Sequence, residues 1–493
     1  MAALALIRHT RRDQVFAWRR GEAIDAGRFL ADARALAERL PRDGPLLNGC
    51  QDRYHFTVGL AAALLAGKQS VVPHNHLPQT LGELAQRFGG LHALIDSGPP
   101  PQHIPYRRYP DDYPGLENVT AAGAFEVPLI DEDHIAAWLF TSGSTGAALA
   151  HPRRWGQIVR SSVAEAQRLG LYGCDDVALL ATVPAQHSYG FESAIGLPLL
   201  GGGVLAAERP FYPADVHAEL ARLPGRRALI TAPVHLRALL ASALPPLRID
   251  LILSATAPLS LELAQAAEAR FGAEVIEIYG STESGQVASR RTVHGTRWQP
   301  LHGVVFAVAD GITTAHGGHV GPATPLADAI TLHDDGRFEL HGRIGDLIHV
   351  GGKRSSIAFL EAQLCAIDGI DDAALLHREG SDGAPTRLTG FVVAPRLSQP
   401  QLLAALRRRF EAAFVPRPLY RVAQLPRDGN GKLPRQRLIE LAEACAAERT
   451  RGMPAGTTAD GEVTTDAGAD QSADAAADPG VDANTAASDE RRA

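Results

Sequence analysis

The sequence predicts an α/β protein, with a large N-terminal domain of helix-flanked β-sheets followed by a small α+β C-terminal domain. Three observations carry this prediction. Between residues 136 and 280 short apolar runs alternate with amphipathic helical patterns, the signature of a sheet with helices packed on its faces. After about residue 300 the chain changes to short strands and turns such as "ITLHDDGRFELHG". A glycine-rich run, "GRIGDLIHVGGKRSS", then leads into a last region of two helices and a few strands. A chain of 493 residues is too long for one ordinary core, so a domain boundary is expected inside that run, near Gly345, dividing residues 1–344 from 345–449.

In chain order, helices are expected near "GRFLADARALAERL" and "FTVGLAAALLAG", before a Pro-rich connection around residues 98–114. The strands that follow are "AAWLF", "VALLATV", "RALITA", "LILSA" and "VIEIY". A helix over Ser260–Phe271 has every local signal: Ser260 to cap it, Glu262 in its positive first turn, Leu263, Ala267 and Phe271 on one face, and Gly272 to end it. From residue 450 to 493 the chain is Ala, Asp, Thr and Gly with few large apolar side chains, and a disordered acidic tail is expected there.

Composition narrows the function. With 45% hydrophobic and 21% charged residues the chain is globular in type. The net charge is −7, but residues 451–493 hold nine acidic residues and three arginines, so the rest of the chain carries only about −1. No basic stripe is left to neutralise a nucleic-acid backbone. Cys50, Cys174, Cys365 and Cys445 lie far apart without metal-ligand spacing, and read as reduced, mostly buried thiols of a cytoplasmic protein. The apolar run of "MAALALIRHTRR" is too short for a signal peptide, and no stretch reaches the roughly 20 apolar residues of a membrane span.

"LFTSGSTGAALAHPRRW" poses the chemical question. An apolar strand runs into Thr141, Ser142, Gly143, Ser144, Thr145 and Gly146, a loop rich in backbone N–H groups and hydroxyls suited to phosphate oxygens. Phosphate loops usually carry a lysine, and here the nearest cations are Arg153 and Arg154. The Walker pattern fails throughout; "GGKRS" comes nearest. Gly201, Gly203 and Ala206 match a dinucleotide fingerprint by spacing but follow a helical pattern, and read as a helix-to-strand turn. No GxSxG elbow is present.

Read in order, "TSGSTG", "VPAQHSYGFESAIGLPLLGGG", "ITAPVHLRALL", "SATAPLSLELAQAAEARFG", "YGSTES", the Gly342–Arg343 pair and "LPRDGNGKLPRQRL" resemble the adenylate-forming superfamily: acyl-CoA synthetases, aryl acid ligases, adenylation domains of peptide synthetases and luciferases. The resemblance runs from about residue 20 to 442. It implies that a distorted barrel completes the large domain, and that the small domain is a mobile lid. It also implies ATP and Mg²⁺ as cofactors, a small carboxylic acid as substrate, and a pantetheine thiol of CoA or an acyl carrier protein as acceptor.

The chemistry accounts for the residue types. A carboxylate must approach the α-phosphate of ATP; at about 4 Å and an effective dielectric near 20 that repulsion is on the order of 4 kcal/mol, roughly a thousandfold in rate. The family's remedy is the lysine of "NGK", which falls on Lys432. The resemblance assigns Tyr279 to the adenine, Thr282 to the α-phosphate, Glu283 to Mg²⁺, and Gly280 and Ser281 to the nucleotide wall. Ala255, Thr256 and Ala257 would pass under the adenine, while Asp328 and Arg343 would hold the ribose; the alternative for Asp328 is a surface carboxylate. His187, Ser188, Gly190, Val234, Ser254 and Gly280 would border the acyl pocket, although His187 could equally be a packed core histidine. Gly345 would act as the hinge, and Gly351 and Gly352 would line the pantetheine passage or form a simple hairpin turn.

Two departures stand out. The loop lysine of the family falls at Leu149, leaving Arg153 or Arg154 as possible substitutes, and the residues before Asp328 are Leu-Ala in place of Thr-Gly. "HSYGFE" lacks the Asp that holds an α-ammonium, which disfavours amino acids. The pattern "TSGSTG", three residues, "AHPRRW" resembles ligases of aryl polyene (xanthomonadin-type) pigment biosynthesis, which implies a hydroxylated aromatic acid such as 3- or 4-hydroxybenzoate loaded onto a carrier protein. An aliphatic acyl-CoA synthetase, a non-catalytic nucleotide-binding relative and a luciferase-type oxidative enzyme remain alternatives.

Overall fold

A computed structural model describes residues 2–73, 75–112, 124–142, 148–343, 347–350, 353–378, 387–410, 414–428 and 433–451. Two compact units are present, Met1–Ala442 and Glu443–Ala493. The second contributes, among the described residues, the end of the helix Arg435–Arg451, which runs past residue 450, where the tail was expected to start.

The first unit is built around an eleven-stranded mixed sheet. Its centre is parallel: Val177–Ala181, Arg226–Thr231, Leu251–Ser254 and Glu274–Ser281 lie side by side. These segments are nearly continuous apolar runs because both faces of a parallel sheet are covered. On one face Pro213–Arg222, Pro233–Ala241 and Leu261–Phe271 pack through Val216, Leu220, Leu236, Leu263 and Phe271 onto Leu229, Ile252 and Val275. The other face packs Ala194 and Leu197, from a helix with π-type hydrogen bonding over Gly190–Gly201, against Leu179, Ile230 and Leu253. That helix precedes the strand Val204–Ala206, so the Gly201–Ala206 spacing is a helix-to-strand turn.

The helix Leu261–Phe271 follows its local signals: the Ser260 side chain accepts from the Leu263 N–H, and Gly272 closes it at φ 65°. Near the N-terminus, Asp52 caps Arg53–Leu65, a helix buried on nearly every side, as the apolar run from Val58 to Leu65 demands.

A six-stranded sheet carries the glycine-rich loop. Its strand Ile135–Ser142 runs parallel to Ser70–Val72 and pairs antiparallel with Ala148–Arg154, Ser142 lying opposite Ala148. The region expected as a distorted barrel forms the edge strands Arg297–Pro300, Asp328–Leu332 and Phe338–Arg343 of the large sheet and a three-stranded meander over residues 305–326. Beyond it, Asp372–Arg378, Arg387–Val393 and Leu419–Arg421 form a small sheet whose core, with Leu360, Leu402 and Leu406, belongs to the helices Ile357–Cys365 and Gln399–Arg409. This α+β piece touches the large sheet's helices through polar contacts: Arg409 Nη2 lies 2.6 Å from Glu262 Oε1, and Arg237 donates to the Asp371 carbonyl at 2.8 Å.

All four cysteines are free thiols. Only Cys50 is buried, with burial pushing its thiol pKa well up; the expectation of mostly buried thiols is corrected for Cys174, Cys365 and Cys445, which are half-buried. Among the described residues no helix is long and apolar enough to cross a membrane.

Candidate active site

The parallel strands end on one side of the large sheet, and the candidate segments follow those ends. Residues 182–190 come after Val177–Ala181, Ala232–His235 after Arg226–Thr231, Ala255–Ala257 after Leu251–Ser254, and Thr282–Ser284 after Glu274–Ser281. Open α/β sheets bind their ligands at this carboxyl end, where the strand order reverses and opens a crevice. Here the order reverses at Val177–Ala181, which lies parallel to Val204–Ala206 on one side and to Arg226–Thr231 on the other.

Ser281 pairs with Gly285, leaving Thr282, Glu283 and Ser284 as a three-residue tip. The tip is internally held: the Ser281 and Ser284 hydroxyls lie 3.1 Å apart, and each accepts from the other's backbone N–H. Gly280 is required by close approach, because a Cβ there would collide with the Gly285 carbonyl. Thr282 donates to the Ser188 hydroxyl at 3.3 Å, joining a nucleotide-side candidate to an acyl-pocket candidate 94 positions away.

Tyr279, half-buried against Trp298 and Phe338, donates its hydroxyl to Asp328 Oδ2 at 2.8 Å. Asp328 is the direct cross-strand partner of Arg343, so the two ribose candidates face each other in register. Thr256 has φ 78°, a left-handed conformation that a β-branched residue adopts only under constraint. Composition gave no sign of this strain at the centre of the Ala255–Ala257 turn.

Among the acyl-pocket candidates, His187 is half-buried; its Nδ1 accepts from the Tyr189 N–H at 3.3 Å. Gly190 is fully buried where a Cβ would strike the Pro184 carbonyl, so its absent side chain serves packing. Ser254 is buried with no hydrogen-bond partner for its hydroxyl among the described residues, while Val234 is exposed. His235, inside "ITAPVHLRALL" but not among the candidates, places its Nδ1 2.9 Å from the Thr182 hydroxyl, itself 2.8 Å from the Thr231 hydroxyl. Burial, then Arg209, lowers the His235 pKa.

Alternation along Ala148–Arg154 places Leu149, His151 and Arg153 on one face. Arg153 is buried and paired with Glu192 at 3.5 Å, their side chains 3% and 5% exposed. Glu192 also accepts from Ser161 and from the Gln286 N–H, so Arg153 belongs to a structural network beneath the hairpin. Arg154 is turned away, donating to the Asp133 carbonyl at 2.6 Å. Neither arginine substitutes for the loop lysine. His151 was overlooked: its Nε2 lies 3.6 Å from Glu283 Oε1.

Gly143, Ser144, Thr145, Gly146, Gly345, Gly351, Gly352 and Lys432 lie outside the described residues, as do the side chains of Thr141, Ser142 and Arg343. No cluster of three or more His, Cys, Asp or Glu among the described residues could hold a metal. A lone carboxylate such as Glu283 suits Mg²⁺ bound largely through phosphate oxygens.

Strand ends gathered in this way, with a tyrosine hydroxyl bonded to an aspartate across the sheet, suit an α/β enzyme of the adenylate-forming class. The AMP-binding enzyme family pattern matches residues 47–352, and the chain belongs to that family. It is 32% identical over 277 residues to a 4-coumarate–CoA ligase of Rhodobacter capsulatus, covering 56% of this chain and 67% of that one. To a benzoate–CoA ligase of Thauera aromatica it is 27% identical over 364 residues, 65% and 68% of the two chains. The fold matches ATP-bound MatB from Rhodopseudomonas palustris with a TM-score of 0.73 at 21% identity, over 88% of this chain and 97% of that one.

Proposed function

We propose that the protein activates a carboxylic acid with ATP, forming an acyl-adenylate and releasing pyrophosphate, and then passes the acyl group to a pantetheine thiol. The Thr282–Ser188 contact carries this reading. It sets a hydroxyl of the nucleotide-side hairpin against one from the acyl-pocket segment, where a carboxylate and an α-phosphate must meet.

In this reading Tyr279 supports the adenine, Asp328 and Arg343 hold the ribose, and the strained turn at Thr256 brings backbone close to the base. Thr282 donates toward the α-phosphate. Glu283 offers an oxygen ligand for Mg²⁺, which when bound supplies positive charge to the phosphate oxygens. Lys432 places its ammonium between carboxylate and phosphate, offsetting a repulsion of roughly 4 kcal/mol. For the second step residues 345–449 rotate about Gly345, withdrawing Lys432 and opening a passage at Gly351 and Gly352. The exposed Arg409–Glu262 pair suits such movement, because ion pairs of this kind hold weakly.

The acid is proposed to be aromatic, a hydroxybenzoate being the first choice; similarity to coumarate and benzoate ligases supports this, while the absence of an Asp in "HSYGFE" disfavours only amino acids. The acceptor is CoA or an acyl carrier protein. Acid-dependent exchange of labelled pyrophosphate into ATP, measured over aromatic and aliphatic acids, tests the first step. Transfer to CoA compared with a phosphopantetheinylated carrier tests the second. No exchange with any acid would leave a non-catalytic nucleotide-binding protein, which the apolar Leu149 favours as the second reading.

A further inference from the structure

The strand Ala148–Arg154 carries three basic side chains, and the structure separates their roles. Arg153 is locked to buried Glu192, and Arg154 is turned to the Asp133 carbonyl. His151 remains on the face of the strand that passes the hairpin tip, with Nε2 3.6 Å from Glu283 Oε1. Two neighbouring contacts fix that alignment. A Cβ added to Gly285 would collide with the Arg153 guanidinium, so residues 153 and 151 on one strand match 285 and 283 on the other. Leu149, the next residue on that face, is 58% exposed and offers no polar atom from its side chain.

Along Glu274–Ser281 and its tip, Tyr279 with Asp328 marks the nucleoside end, and Thr282 and Glu283 come after it. A nucleotide laid along this edge therefore extends its outer phosphates toward Glu283. The side chain beside Glu283 at that end is His151, 20% exposed against 41% for Glu283.

We propose that His151 binds the outer phosphates of a nucleoside triphosphate, donating from its ring nitrogen and replacing the lysine that Leu149 cannot supply. This rests on the nucleotide-dependent reading above. It makes His151 the residue by which the site distinguishes a triphosphate from a monophosphate.

Titration calorimetry with ATP plus Mg²⁺ and, separately, with AMP tests this on the full chain. His151→Ala is expected to weaken ATP about tenfold and AMP less than twofold, since a charged phosphate oxygen loses its donor. His151→Gln, which keeps an N–H donor, should retain most of the ATP affinity. His151→Ala combined with Leu149→Lys should restore it. An unchanged ratio of ATP to AMP affinity in His151→Ala overturns the proposal, as does equal loss of both nucleotides in the Ala and Gln variants. A wild-type chain that binds neither nucleotide overturns the underlying reading as well; normal wild-type binding with an unchanged ratio removes only the role of His151.

Discussion

The Tyr279 hydroxyl donates to Asp328 Oδ2 at 2.8 Å, across 49 positions of sequence. Tyr279 lies near the end of a central strand of the large sheet and Asp328 begins an edge strand of the same sheet, so the bond ties the candidate adenine platform to the candidate ribose ligand. The Trp298 and Phe338 rings fix the tyrosine from behind, leaving its orientation few alternatives.

Tyr279→Phe removes the donor and keeps the ring. The KM for ATP in pyrophosphate exchange should rise about three- to tenfold, the worth of one hydrogen bond, with a smaller change in kcat. Asp328→Ala should raise it more, roughly ten- to a hundredfold, because charged hydrogen bonds are stronger. A rise in Asp328→Ala no larger than that in Tyr279→Phe would show that the carboxylate serves the tyrosine alone.

Lys432→Ala should lower acid-dependent exchange about a thousandfold, the rate equivalent of the repulsion it offsets. Thioester formation from presynthesised acyl-adenylate should persist. Loss of both half-reactions would assign the lysine a structural part.

The Arg153–Glu192 pair predicts a stability effect. Glu192→Gln or Arg153→Met leaves a buried charge without its counter-charge and should cost about 3–5 kcal/mol in urea unfolding. Removing both should cost less than the sum, since a buried pair replaced together loses little. Additive losses would mean that the two groups do not interact.

Glu165 makes stability depend on pH. Its carboxyl is buried beside Ser193 and Glu192, and burial, opposed by Ser193 and reinforced by Glu192, pushes its pKa up to about 8 from 4.5. Between these values the folded protein holds a proton that the unfolded chain releases, so this contribution is present below about 4.5, declines as pH rises, and is gone above about 8. The decline is about 1.4 kcal/mol per pH unit at its steepest. Glu165→Gln should flatten this dependence in urea unfolding at pH 5 and pH 8.5. Equal pH dependence in the two proteins would show that Glu165 already ionises freely.

Much of the fold was legible from local chemistry. Apolar runs bounded by turns marked the parallel strands, because a strand covered on both faces tolerates few polar side chains. Ser260 and Gly272 marked a helix at both ends, because unpaired backbone groups there need a side-chain acceptor and a left-handed residue. The ordered motifs around Thr141, Tyr279–Glu283 and Lys432 identified the superfamily because each combines small residues with a few polar atoms at required spacings.

Contacts between distant segments were not legible. Sequence offered Arg153 and Arg154 as equal substitutes for a missing lysine; one is buried against Glu192 and the other faces Asp133, while His151 lies beside Glu283. The two-residue period of a strand fixes which side chains share a face, but only packing against another segment decides which of them meets a carboxylate, a backbone carbonyl or open space. Sequence determined the family and the inventory of chemical groups, and tertiary structure decided which of those groups meet, because charge pairing depends on distances of a few ångströms between residues far apart in the chain.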